Sequence, residues 1–234
     1  MTEQKITPAK SDGDKGRLNK IFLFFTTLFT LIIAGAQSYI AYKQYEASKL
    51  SFSPIFVFQE ELVKRDGSER YDNENLKIIN MGYPINNYSS KEKIFIKATQ
   101  TIIKEKVIKE SILIPVNYYA ASYSSTGGKD TLETFIGMDN NTDAVSLRWS
   151  INALDPKGVS SGPFYDIDLI KAFELTYSDI EGIEHKKYFI NQKPVDEKLF
   201  LSMTDDADNI VPPRDIRNLD AGTIVSLLQK NYKN

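Results

Sequence analysis

Leu76-Lys77-Ile78-Ile79-Asn80-Met81-Gly82-Tyr83-Pro84 joins a short apolar run to a dense group of turn formers. Two adjacent isoleucines favour extended backbone, because β-branched side chains pack well on a pleated surface. Asn, Gly and Pro then supply turn conformations, so the stretch predicts a strand that stops at Asn80. Runs of the same kind lie on both sides. Ile55-Phe56-Val57-Phe58 precedes it, and Ile94, Ile96 and Ala98 follow, alternating with Phe95, Lys97 and Thr99. Val107-Ile108 and then Ile112, Ile114 and Val116 suggest two more strands.

The cleanest alternation is Val145, Leu147, Trp149 and Ile151 against Ser146, Arg148 and Ser150. A period of two predicts a strand with one buried face and one wet face. Leu169, Phe173, Leu175 and Tyr177 form another apolar face, which turns at Ser178 to Gly182 and returns over His185 to Asn191. Short strands at this spacing predict an antiparallel β-sandwich. Helical pieces follow at Val195 to Met203 and Ala221 to Lys230, the latter capped by Asp220 with Ile224, Leu227 and Leu228 on one face.

The N-terminal part has a different character. Ile21 to Tyr42 carries no charge, and at helical rise such a run spans roughly 33 Å, the thickness of a bilayer core. A core helix keeps a polar face, and this run has none. Tyr39 and Tyr42 stand where interfacial aromatics anchor a span. The alternative is a signal peptide cleaved after Ala34-Gly35-Ala36, which the sequence leaves open. Lys5, Lys10, Lys15, Arg17 and Lys20 precede the run, whereas only Lys43 and Lys49 follow closely. The positive-inside rule therefore expects a cytoplasmic N-terminus and an outward C-terminal domain. The expected division is a disordered tail over 1–19, a transmembrane helix over 20–43, a helical stalk over 44–52 and a β domain over 53–234. Ser53-Pro54 stops the stalk, since proline restricts the preceding residue and lacks a donor.

The order of anchor, stalk, Pro54-Ile55-Phe56-Val57 and Leu76 to Pro84 resembles a diffuse, largely uncharacterised group of bacterial single-pass membrane proteins. In that group a strand ending N-x-G-x-[P/A] leads into a loop and another strand. The hairpin at Leu175-Thr176-Tyr177-Ser178-Asp179-Ile180-Glu181-Gly182 is similar to the group's second signature. The resemblance covers a small part of the chain. It implies an immunoglobulin-like sandwich and no activity.

Composition excludes several chemistries. With 29 basic and 31 acidic residues, the chain lacks the cationic balance of a nucleic-acid binder. The absence of cysteine removes thiolate nucleophiles, disulfides and thiolate-bound zinc. His185 is the only histidine, so a multi-histidine metal site is ruled out. A Ser-His-Asp triad would need His185 from a hairpin strand, and no G-x-S-x-G elbow precedes a serine. Thr126-Gly127-Gly128-Lys129-Asp130-Thr131 lacks the first glycine of a phosphate loop and has Asp130 where Ser or Thr would hold magnesium. Asp205, Asp206 and Asp208 offer carboxylates for calcium without EF-hand spacing, and a solvated turn is the competing reading. No cofactor is implied.

Recognition is the remaining expectation. Asn117 to Gly128 mixes tyrosine with serine and glycine, as binding loops do, and Tyr118, Tyr119 and Tyr123 are its candidate contact residues. The sequence thus points to a non-enzymatic module outside the cytoplasmic membrane, held by a single span and facing a protein or envelope partner. Two other classes stay open: a cytoplasm-facing accessory or sensor component, and an envelope hydrolase using paired carboxylates.

Overall fold

A computed structural model describes residues 13–103, 106–154, 163–208 and 213–231. The chain divides into two compact units, Met1–Phe52 and Ser53–Asn234.

The first unit is α1, Gly13–Ser51, which includes the expected span and stalk and begins within the stretch expected as a tail. Residues 1–12 of that tail lie outside the described residues. Lys20–Ser48 is long and apolar enough to cross a membrane, and its side chains are uniformly exposed in the isolated chain. The hydroxyls of Thr26, Thr27 and Thr30 are satisfied within the helix. Thr27 Oγ1 donates to the Leu23 carbonyl at 2.8 Å and Thr30 Oγ1 to the Thr26 carbonyl at 2.8 Å. Hydrocarbon demands such internal pairing, because it offers no other partner.

The second unit is mainly β and antiparallel, as the sequence predicts, with a short helix near its C-terminus. Its strands are β1 Phe56–Val63, β2 Asn73–Ile103, β3 Val107–Asn117, β4 Ala121–Ser124, β5 Gly127–Ile136, β6 Pro163–Ser178, β7 Glu184–Ile190, β8 Lys193–Val195 and β9 Arg214–Asp215. Its helices are α2 Asn140–Asn152, α3 Glu197–Asp208 and α4 Ala221–Asn231. Among the described residues the nine strands form one sheet in the order β4-β5-β2-β6-β7-β8, with β1 and β3 paired to β2 and β9 running parallel to β3.

The strand expected to end at Asn80 instead continues for 31 residues as β2. Its first part pairs with β1 and β5, and its second part with β3 and β6. The turn formers produce an irregularity, not a stop: the register with β5 shifts between Asn80 and Ile85. Asn80 is fully buried. Its Oδ1 accepts from Ile55 N at 3.2 Å and Gly82 N at 3.0 Å. Its Nδ2 donates to the Tyr83 carbonyl at 2.7 Å and the Gly128 carbonyl at 3.0 Å. One amide thus supplies the backbone partners that the irregularity would leave unmet. Gly82 is required by close approach, since a Cβ there would lie 2.4 Å from the Ser53 carbonyl oxygen.

Val145 to Ile151, expected as a strand, is helical. The alternation resolves into two pairs spaced by four: Leu147 and Ile151 are buried, while Val145 and Trp149 are exposed. The start of α2 is fixed from far away in sequence. The Asp72 carbonyl accepts from Asn141 N and Thr142 N, both at 3.2 Å. The buried Asn140 amide accepts from Glu74 N at 2.8 Å and donates to the Glu74 carbonyl at 3.0 Å. The Asp72 carbonyl, just before β2, therefore caps α2, satisfying helix-end donors that the side chain in α2's own cap position does not.

Both parts of β2 feed one main core. Leu76 and Ile78 pack in the same cluster as Ile94, Ile96 and Ala98, so the sheet folds over on itself. Leu147 and Ile151 of α2 and Ile224 and Leu228 of α4 complete that core. The cap expected for α4 is present, with Thr223 N donating to Asp220 Oδ1 at 2.9 Å. On the opposite face of the sheet, Phe95, Ile170, Ala172 and Tyr188 pack against Phe200 of α3.

Asn80→Ala should lower the unfolding free energy by roughly 2–4 kcal/mol, since it strands several buried backbone groups at once. Denaturant unfolding of the full chain measures this, and a loss below about 1 kcal/mol would contradict the role given to Asn80.

Candidate functional site

Lys171 lies on β6 between Leu169 and Phe173, whose side chains face the main core, and only 6% of it is exposed. Its Nζ donates to Glu60 Oε1 of β1 at 2.6 Å and to Glu74 Oε1 of β2. Tyr118 OH donates to Glu74 Oε2 at 3.1 Å and Tyr119 OH to Glu74 Oε1 at 3.2 Å. The ammonium also sits 5.6 Å from the centre of the Tyr118 ring. Burial and the neighbouring Glu74 charge push both phenols above the usual tyrosine range, which keeps their protons in place as donors. Lys171, Glu74 and the two phenols are thus bonded to one another, with Glu60 reaching in from the surface. The cluster ties β1, β2 and β6 together across the folded sheet.

Two of the expected contact tyrosines, Tyr118 and Tyr119, therefore point inward onto Glu74. Tyr123, on β4, is 67% exposed. The structure does not bring the three onto one face. Small clefts adjoin the cluster, one of about 160 Å³ bounded by Glu74, Tyr118, Arg148 and Leu169.

The other singled-out residues have local roles. His185 Nε2 lies 2.7 Å from Asp179 Oδ2, and the ring stacks on Tyr177 with centroids 5.4 Å apart. Asp179 Oδ1 accepts from Glu181 N and Ile183 N, each at 2.9 Å, so the pair closes the β6–β7 turn. Among the described residues no serine hydroxyl bonds His185. Gly127 of the glycine pair lies where a Cβ would approach the Ile85 carbonyl oxygen to 2.4 Å, so strand packing explains it. Asp205 falls within α3 rather than a turn, exposed and 3.9 Å from Lys93. The side chains of Asp206 and Asp208 lie outside the described residues. Among the described residues no group of acidic or histidine side chains is arranged to hold a metal ion.

A second feature escaped the sequence reading because α2 was expected as a strand. The pair turned away from the core, Val145 and Trp149, joins Leu62 and Tyr71 to line a surface groove of about 450 Å³. Trp149 is 73% exposed and is the only tryptophan in the chain. Arg70 and Ser146 add polar groups to the lining. A helical reading of 140–152 would have found it, since Val145 and Trp149 are four apart on the side opposite Leu147 and Ile151. No family model, no curated protein and no solved structure matches the chain.

Lys171→Met should destabilise the fold by roughly 3–5 kcal/mol, because Glu74 is left buried without its cation. Adding Glu74→Gln to that variant should recover part of the loss; full additivity in unfolding experiments would argue against a coupled cluster. His185 holds the Asp179 carboxyl below the usual range. The contribution of ionised Asp179 is then present above its unfolded-state value near pH 4 and lost as pH falls through its lower folded value. The stability gap between the native chain and Asp179→Asn should accordingly narrow on acidification below about pH 4. A gap constant from pH 6 to pH 2 would refute that linkage.

Proposed function

We propose that this chain is a non-enzymatic interaction module, anchored by α1 and presenting its β domain outside the cytoplasmic membrane to a partner. The observation that carries the reading is Trp149, the sole tryptophan, held mostly exposed beside an apolar groove. An exposed cluster of large apolar side chains costs solubility, and partner binding is the ordinary compensation. Tryptophan is also the residue most enriched among side chains that dominate interface energy. The polar cluster around Lys171 supports a binding role rather than a reacting one, since its donors and acceptors are mutually engaged. The asymmetry of basic residues around α1 supports the outward orientation. Kinship with bacterial single-pass proteins bearing immunoglobulin-like sandwiches belongs to the same reading, and rests on Leu76 to Pro84 and Leu175 to Gly182.

A photo-crosslinking amino acid at position 149, expressed in cells, tests the reading. A discrete protein or envelope adduct that is absent when the crosslinker sits at exposed Met138 is the expected result. Absence of any specific adduct would remove the basis for an interaction module. Protease added to intact spheroplasts should digest the domain; a protected domain would place it in the cytoplasm.

A further inference from the structure

Resting on the interaction reading, we infer that the Trp149 groove takes a segment of a partner protein carrying a carboxylate next to a large apolar side chain. The apolar requirement follows from the walls, Leu62, Tyr71, Val145 and Trp149, which offer carbon and aromatic surface to a hydrophobic anchor. The acidic requirement follows from charge. Arg70 lines the groove and no carboxylate does. Arg65, Arg148 and Arg217 each face a carboxylate within 4 Å, at Asp139, Asp168 and Asp215. Arg70 has no such partner among the described residues. Lys64 adds a second positive charge at the rim, its ammonium 5.3 Å from the Tyr71 ring centre. Asp66 and Glu69 belong to the same loop but do not line the groove.

These features specify what complementary binding needs. A guanidinium fork beside an aromatic wall pairs best with a planar carboxylate, whose attraction strengthens as the apolar anchor excludes water. Asn141 reinforces the floor: its amide donates to the Tyr71 carbonyl at 2.6 Å, fixing Tyr71's backbone to α2. The groove joins Leu62 of β1 and the loop before β2 to the outer face of α2, and the Asp72 and Asn140 bonds lock the end of that loop and the start of β2 to α2. It is a preformed surface.

The test uses the full chain in nanodiscs of uncharged lipid, screened against a displayed library of random dodecapeptides. Peptides that survive counter-selection against Trp149→Ala are then titrated while the emission of Trp149 is followed. That signal is unambiguous because no other tryptophan is present. Enriched peptides should place Asp or Glu within a few residues of a large apolar side chain, and those free of tryptophan, used for the titration, should shift the Trp149 emission to the blue. Arg70→Glu should weaken them roughly tenfold or more, with added salt acting in the same direction. Circular dichroism should leave both variants folded, since each altered side chain is exposed. Enriched peptides without acidic residues, or equal affinity for Arg70→Glu, would overturn the inference. So would an emission shift caused by saccharides alone, or Trp149-dependent self-association showing that a second copy fills the groove. A library that yields nothing, with a specific protein adduct still formed at position 149, would sink this inference while leaving the interaction reading intact. Loss of both would sink the two together.

Discussion

Lys171 sits on a core-facing position of β6, where an ammonium group is tolerable only if carboxylates come to meet it. They come from two different strands, Glu60 on β1 and Glu74 on β2. That requirement constrains the register of the whole sheet. Ile94 of β2 stands opposite Lys171, and Ile96 opposite Leu169. Sliding β6 by one residue would turn Lys171 to the face where Phe95, Ala172 and Phe200 pack, away from both carboxylates. The ion pairs thus specify which face of β6 is inside and how the two parts of the sheet meet.

The folding-over of the sheet depends on a second polar device. Strand β2 must run from one side of the main core to the other without leaving its backbone groups unpaired. Asn80 meets that need with one side chain, reaching Ile55, Gly82, Tyr83 and Gly128. Gly82 lets the chain entering β1 pass at contact distance, and Met81 N donates to the Ile55 carbonyl at 2.8 Å. Buried polar groups of this kind contribute little net energy when satisfied, yet breaking them is costly. They therefore select among folds more than they add stability.

The candidate site shows how far pattern reading reaches. Tyrosines next to serine and glycine do suit binding loops, but the same residues serve as donors to a buried carboxylate. Tyr118 and Tyr119 do the second, because Glu74 lies across the core from them. The sequence gives no local sign of that partner, which is 44 residues from Tyr118. Trp149 was hidden by the opposite error. Four apolar residues at alternate positions fit a strand face, and fit equally two helical pairs of opposite exposure.

By itself the sequence determined what depends on neighbours along the chain. The uncharged run of α1, the extended character of residues 55–58 and 94–98, the β6–β7 turn and the Asp220 cap are all local consequences of side-chain type. Tertiary structure decided the rest: that β2 passes through its turn formers, that residues 140–152 coil into a helix, and that Trp149 faces outward. In each case the deciding bonds come from distant chain, as with Asn80 to Gly128, 48 residues on, or Asn140 to Glu74, 66 residues back. A buried polar group takes whichever partner the completed fold supplies, so local propensity yields where such a partner exists.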